Sequence, residues 1–237
     1  MTEDISLRRE RDISAVISDG FALLFPNWST LARTVTPAVL VNIAASLIVF
    51  GVAGDEEVAQ AVLLATLPFQ ILAYQLVSAA VIAHLLSRDQ GRNLDSGDAL
   101  DVAQDRFGDV VGASVRAVGI SVLLAMTVVG LPWAIKRGIK WAFIVQSIIV
   151  DGQPGEPSLK YSEALVQGRW WNTFGRLLTA GLILLLPAVI LSSLVQLAIP
   201  GVIGVILSHA TDFLTLPYGM ITTTLIFFDL KLRKARE

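Results

Sequence analysis

The 237-residue chain contains no cysteine. That excludes disulfides, thiolate metal sites and cysteine nucleophiles. Its two histidines, His84 and His209, lie far apart in sequence. Only 16% of the residues are charged, where a soluble domain carries roughly 25%. A net charge of −2 supplies no bulk field to gather nucleic acid. No apolar core follows the polar opening "MTEDISLRRERD", so the opening does not read as a secretory signal, and the first apolar run is expected to stay in the protein.

What fills the chain instead is hydrocarbon. Hydrophobic residues make up 54% and mean hydropathy is +0.67, the composition of a membrane protein. A spanning helix needs about 20 mostly apolar residues. Stretches free of Asp, Glu, Lys and Arg cover 34–54, 58–87, 117–135, 141–150 and 177–211. The last is too long for one helix, and "AIPGVIG" at 198–204 breaks it, because proline and glycine favour a turn. The sequence therefore predicts an all-α polytopic membrane bundle of six transmembrane helices, at about 32–53, 58–86, 110–131, 133–151, 175–198 and 207–230. Residues 1–237 read as a single integral membrane domain, with a cytoplasmic arm at 1–31 and a basic tail at 231–237.

Orientation follows from cations near the span ends. Fifteen of the eighteen Lys and Arg residues fall on one side if both termini are cytoplasmic. The first loop on the other side, "GDEE" at 54–57, is acidic. Only Lys136, Arg137 and Lys140 disobey. They lie one or two turns inside the expected fourth span, where a cation costs about 2.5–3.5 kcal/mol at the helix centre and less if it snorkels. Three readings stand: snorkelling, a basic pocket for a lipid phosphate, or an interfacial elbow at 133–140 in place of a span. Acids expected at the same outer end as the cluster, and able to neutralise it, are Asp55, Glu56, Glu57 and Asp212.

An amphipathic segment precedes each odd-numbered span, at 12–28, 96–111 and 158–174. These read as cytoplasmic surface helices, in a unit of surface helix, span out and span back that occurs three times. In the third, Tyr161, Leu165, Gly168, Trp171, Phe174 and Leu178 form one stripe, and Ser158 after Pro157 is the expected N-cap. Trp28, Trp133, Trp170 and Trp171 are candidate interfacial anchors, since tryptophan favours headgroup depth. Lys136, Arg137, Lys140, Arg169 and Arg176 are candidate contacts for anionic lipid.

Chemistry is sparse. Asp95, Asp98, Asp101, Asp105 and Asp109 recur every three or four residues, as on a solvated helix face, and the run lacks a calcium-loop pattern. His84 and His209 belong to opposite ends of their spans, roughly 30 Å apart, and cannot share a metal. His209 and Asp212 are spaced to interact on one helix face; one reading is a proton relay, and the expected one is that Asp212 caps or electrostatically stabilises the start of the last helix. Asp229 is expected to pair with Arg233. Asn42, Gln70, Gln75, Gln146 and Gln196 read as interhelical hydrogen-bonding residues. Pro37, Pro68, Pro187 and Pro217 set up kinks in four spans. No catalytic cluster, metal site or cofactor is expected.

The stretch "AFIVQSIIVDGQPGEPSLKYSEALVQGRWWNTFGRLL" resembles the bacterial six-helix family named for the membrane domain attached to some glycerophosphoryl diester phosphodiesterases. Asp151-Gly152, Glu163-Ala164-Leu165 and Gly168-Arg169-Trp170-Trp171 carry the resemblance, as does the closing "FFDLKLR" at 227–233. Tyr161-Ser162 stands where the family pattern has a basic residue before serine. The resemblance implies six membrane helices in a bacterial inner membrane, without the catalytic domain that gives the family its name. The expected function is a non-enzymatic scaffold or accessory subunit that organises lipids or a partner membrane protein, including a second copy of itself. The alternative is a transporter or lipid-handling protein with a cavity between kinked helices, lined by Gln70, Gln75, Gln146 and Arg137.

Overall fold

The computed structural model describes residues 6–127 and 129–236, apart from the side chain of residue 125. Among these residues all regular structure is helical. α1 (Ile13–Leu24) passes through a 3-10 turn into α2 (Trp28–Gly51). α3 (Glu56–Asp89) follows, then α4 (Ser96–Asp105), α5 (Phe107–Ala125), α6 (Leu131–Lys140) and α7 (Ile144–Asp151). α8 (Gly155–Val166), α9 (Trp170–Ala198), α10 (Val202–Ser208) and α11 (Asp212–Lys234) complete the chain. Five stretches are long and apolar enough to cross a membrane: Ile13–Gly51, Glu56–Asp89, Phe107–Leu124, Trp170–Ala198 and Val202–Lys234. The chain is a helical bundle whose long apolar helices suggest a membrane-embedded protein.

Local chemistry places the boundaries. Asp55 caps α3 by accepting from the Val58 amide, Glu56 and Glu57 occupy its first turn, and Arg88 its last. Each charge opposes the helix dipole at its end. The acidic loop "GDEE" is thus a helix start. Gly152 ends α7 in the left-handed conformation, at φ 63°, which glycine adopts without steric cost.

Three expectations change. Residues 133–151 do not form one helix: α6 and α7 are separated by a turn at 141–143. The Ser162 hydroxyl holds that turn, accepting from the Phe143 amide at 3.2 Å and donating to the Lys140 carbonyl at 2.7 Å. Neither piece reaches the length a span requires. The stripe expected across 158–174 is also interrupted. α8 stops at Val166, and Gly168 turns the chain at φ 80° before α9 begins. α8 starts earlier than expected, at Gly155, so Ser158 lies inside it and donates to the Gly155 carbonyl.

Burial is lopsided along the long helices. In α3, Val77 to Leu85 are all buried, whereas most residues from Glu56 to Leu67 are exposed. In α9 only Thr173, Arg176 and Ala180 are buried, all within its first eleven residues. Leu185, Leu186, Val189, Ile190, Leu191, Leu194 and Leu197 are bare. The protein core therefore gathers at the end holding the start of α9 and the ends of α3 and α11. α4, α7 and α8 pack there too. Both ends of the described chain also meet there: the Arg11 amide donates to Asp229, and Arg236 pairs with Glu10.

α5 and α6 form a short hairpin. Gln75 donates to Ser114 and ties α3 to α5. Beyond that bond α5 has about 16 Å of helix to Ala125, while α3 has about 28 Å to Glu56, at 1.5 Å per residue. Measured along the helices, α5 thus ends about 12 Å short of the far end of α3. Leu123, Met126 and Val129 near the turn are among the most exposed apolar side chains.

Candidate functional site

The crowded end is built on ions. Asp12 caps α1 by accepting from the Ala15 amide, and the arm before it folds around the buried side chain of Arg11. That guanidinium donates to the carbonyls of Ser6 (2.6 Å), Leu7 (2.9 Å) and Arg9 (3.1 Å), and to Asp19 at 2.8 Å. Burial pulls the Arg11 pKa below its ordinary value, and the hydrogen bond to Asp19 opposes that shift. Arg9 also binds Asp19.

Asp229 joins this arm to the bundle. One carboxylate oxygen accepts from the Arg11 amide at 2.7 Å. The other accepts from Arg176 of α9 and from Arg233 of its own helix, the latter at 2.8 Å. The two arginines also donate to the Arg11 carbonyl. The Asp229 side chain is 0% exposed and that of Arg176 8%, whereas Arg233 is 34% exposed. Four guanidiniums, from Arg9, Arg11, Arg176 and Arg233, thus share the carboxylates of Asp19 and Asp229, and Glu10 also acts on Arg233.

Beside this clamp lies a cavity of about 760 Å³ at the start of α9, lined by Arg11, Arg169, Arg176, Arg233, Trp170, Trp171 and Asp12, among others. The first amides of α9 add their partial positive charge. Trp170 stacks on Phe174 with centroids 5.4 Å apart and donates its indole N–H to the Lys136 carbonyl at 3.1 Å. Trp171 is 76% exposed.

The three irregular cations sit beside this same end. Lys136 lies 5.3 Å from the Trp133 ring centre and Arg137 lies 5.2 Å from that of Trp141. Lys140 pairs with Glu163 of α8. Its acid is therefore none of the four expected. Trp133 and Trp28 are exposed. Arg169 and Arg176 both line the cavity, but Arg176 is also committed to Asp229.

Other expected residues scatter. Asp95 caps α4 by accepting from the Asp98 amide. His84 is buried, with its Nδ1 2.9 Å from the Leu94 carbonyl. Gln70 lines a cavity near the far end, and Gln75 and Gln146 line another between α3, α5 and α7. Arg137 lines neither, so these four do not form the single path expected of a transporter. Among the described residues, no group of three acids or histidines is placed to hold a metal.

Sequence spacing revealed Asp229 with Arg233, and His209 with Asp212, because each pair lies within one helical turn. It could not reveal Arg11 with Asp229, 218 residues apart, or Ser46 with His209, 163 apart. No family model matches the chain, and no curated protein or solved structure matches it.

Proposed function

We propose that this protein is a membrane scaffold that organises lipid by holding an anionic headgroup at the crowded end of its bundle. The observation that supports this is the arginine-lined cavity at the start of α9, flanked by Trp170 and Trp171. A guanidinium grips phosphate through paired hydrogen bonds, and tryptophan sits at headgroup depth. The crowded end is the cytoplasmic one in this proposal, with both termini there, in a bacterial inner membrane. The cation asymmetry supports that orientation. The α5–α6 hairpin then enters the membrane without crossing it: its tip is bare and apolar, and the cations of α6 lie at its base, beside the crowded end. α2, α3, α9 and α11 cross. Membership of the six-helix family belongs to the same proposal. In its support, Gly152 and Gly168 both hold left-handed turns, and Asp229 and Arg233 form part of the buried clamp.

Purification into nanodiscs of mixed phosphatidylglycerol and phosphatidylcholine, followed by native mass spectrometry, tests the lipid site. Phosphatidylglycerol should be retained in preference, and Arg169→Gln should reduce that preference. Equal retention of both lipids by the unaltered protein would overturn the proposal.

A further inference from the structure

At the far end from the basic cavity, two helices bring four polar side chains together. Asn42 and Ser46 are one turn apart on α2. His209 and Asp212 flank the start of α11. Asp212 Oδ2 lies 2.8 Å from His209 Nδ1 and accepts from the Asn42 amide at 3.2 Å. His209 Nε2 lies 2.9 Å from the Ser46 hydroxyl oxygen. In the neutral ring, a carboxylate on Nδ1 selects the tautomer with its proton there, and Nε2 then accepts from Ser46.

The hydroxyl's choice of partner is informative. Ser192, Ser193 and Ser208 of neighbouring helices each donate to a carbonyl three or four residues back, the usual solution for a hydroxyl in an apolar helix. Ser46 is directed at an imidazole instead. The order carboxylate, Nδ1, Nε2, hydroxyl is the arrangement that activates a serine for attack on a carbonyl. Ser46, His209 and Asp212 all line one cavity of about 530 Å³. Gln196 and Gln70 bring amide groups to the same cavity, and its apolar wall includes Val49, Phe50 and Leu185.

We propose that Ser46, His209 and Asp212 form a catalytic site for hydrolysing carboxylic esters with an apolar acyl chain. Ser46 Oγ attacks the carbonyl carbon of R–CO–OR′, and its proton passes to His209 Nε2. The tetrahedral adduct breaks its C–OR′ bond, His209 returns the proton to the departing oxygen, and R′OH leaves acyl-Ser46 behind. Water then adds to the acyl carbon, giving one proton to His209. Release of RCOOH returns that proton to Ser46. Asp212 orients the ring and stabilises its charge, and Asn42 positions Asp212. The apolar wall takes the acyl chain. Gln70 already donates one N–H to Thr66, so its second N–H and those of Gln196, in the same cavity, are the donors this proposal assigns to the carbonyl oxygen. The site is remote from the headgroup cavity and does not depend on the lipid-organising proposal.

A decyl fluorophosphonate tests this on the unaltered protein in phosphatidylcholine nanodiscs. Attack by Ser46 displaces fluoride and leaves a stable phosphonyl adduct, measured by intact mass and mapped by peptide sequencing. One adduct per chain at Ser46 is expected. Ser46→Ala should abolish it, His209→Gln should slow it by about a hundredfold or more, the scale of a lost general base, and Ser193→Ala, outside the cavity lining, should leave the rate unchanged. A fluorogenic decanoate ester should be hydrolysed with the same ranking. No adduct at Ser46 on the unaltered protein would overturn the proposal whatever the variants do. So would labelling of Ser46 that is indifferent to His209→Gln, because the four side chains would then merely fasten α2 to α11.

Discussion

Asp229→Ala isolates the energetics of the clamp. The carboxylate is fully buried and binds the Arg11 amide, Arg176 and Arg233. Its removal leaves the Arg176 guanidinium, 8% exposed, without a carboxylate. Breaking a buried pair from one side costs about 3–5 kcal/mol, because the remaining charge stays desolvated. Arg233→Ala removes a partner of the same carboxylate, but one that is 34% exposed and one helical turn away. Such pairs contribute about 0.2–1 kcal/mol. Asp229→Asn keeps the shape and one acceptor while losing the charge, so its cost should fall between the two, near the 1.5–3 kcal/mol of a charged hydrogen bond. Equilibrium unfolding in mixed micelles, by increasing the mole fraction of dodecyl sulfate, gives the three values. Trypsin gives a local readout, since freeing the Arg11 amide should expose Arg8 and Arg9 to cleavage in Asp229→Ala. If Asp229→Ala and Arg233→Ala cost the same, or if both fall under about 1 kcal/mol, burial is not what sets the strength of this cluster.

The absence of cysteine makes single-cysteine labelling direct. Gly54→Cys should react from one face of the membrane and Arg92→Cys from the other. Val129→Cys, at the bare hairpin tip, should be protected from both; labelling alongside Gly54→Cys would restore a full crossing by α5 and refute the hairpin. Gly20 packs where α1 crosses α11, and an added Cβ would lie 2.9 Å from both Thr222 Cγ2 and Tyr218 Cε2. Gly20→Ala should therefore cost about 1–3 kcal/mol by overpacking, read in the same micelle titration, and a neutral result would mean that α1 rides loosely on α11.

Much of the helical plan is legible from local rules. Asp55 with Glu56 and Glu57 marks the start of α3, and "AIPGVIG" marks the break before α10, where Gly201 adopts φ 89°. These features act within a few residues, so the sequence contains them whole. The expected fourth span fails for a different reason. Residues 133–151 are apolar enough to be counted, but the turn inside them is held by Ser162, about 20 residues downstream. Gly168 sits inside what looks like one amphipathic stripe, and only its φ of 80° shows that the stripe is two helices. The candidate sites were legible in halves. Each pairs residues from one end of the chain with residues from the other, and no periodicity links Arg11 to Asp229 or Ser46 to His209.

Hydropathy does not distinguish a helix face that meets lipid from one that meets protein, because both are apolar. Residue size does. The buried half of α3 reads "VSAAVIAHLLS" from Val77, rich in alanine and serine, and it packs on Ala99 and Ala103 of α4 and Ala113 of α5. Small side chains let helix axes approach closely, which is how helices gain packing energy inside a membrane. The bare half of α9 is instead crowded with leucine, isoleucine and valine, which suit a surface solvated by acyl chains. Ions segregate with the small residues, because close packing supplies the partners that offset their desolvation. His209 and Asp212 depart from this pattern. They lie at the end with the thinnest packing, where a polar network gains least from its surroundings, and Ser46 and Asn42 reach them from another helix. A bundle that needed only to be fastened at that point could have used the small apolar residues it uses elsewhere, which makes a chemical task the stronger account of that cluster.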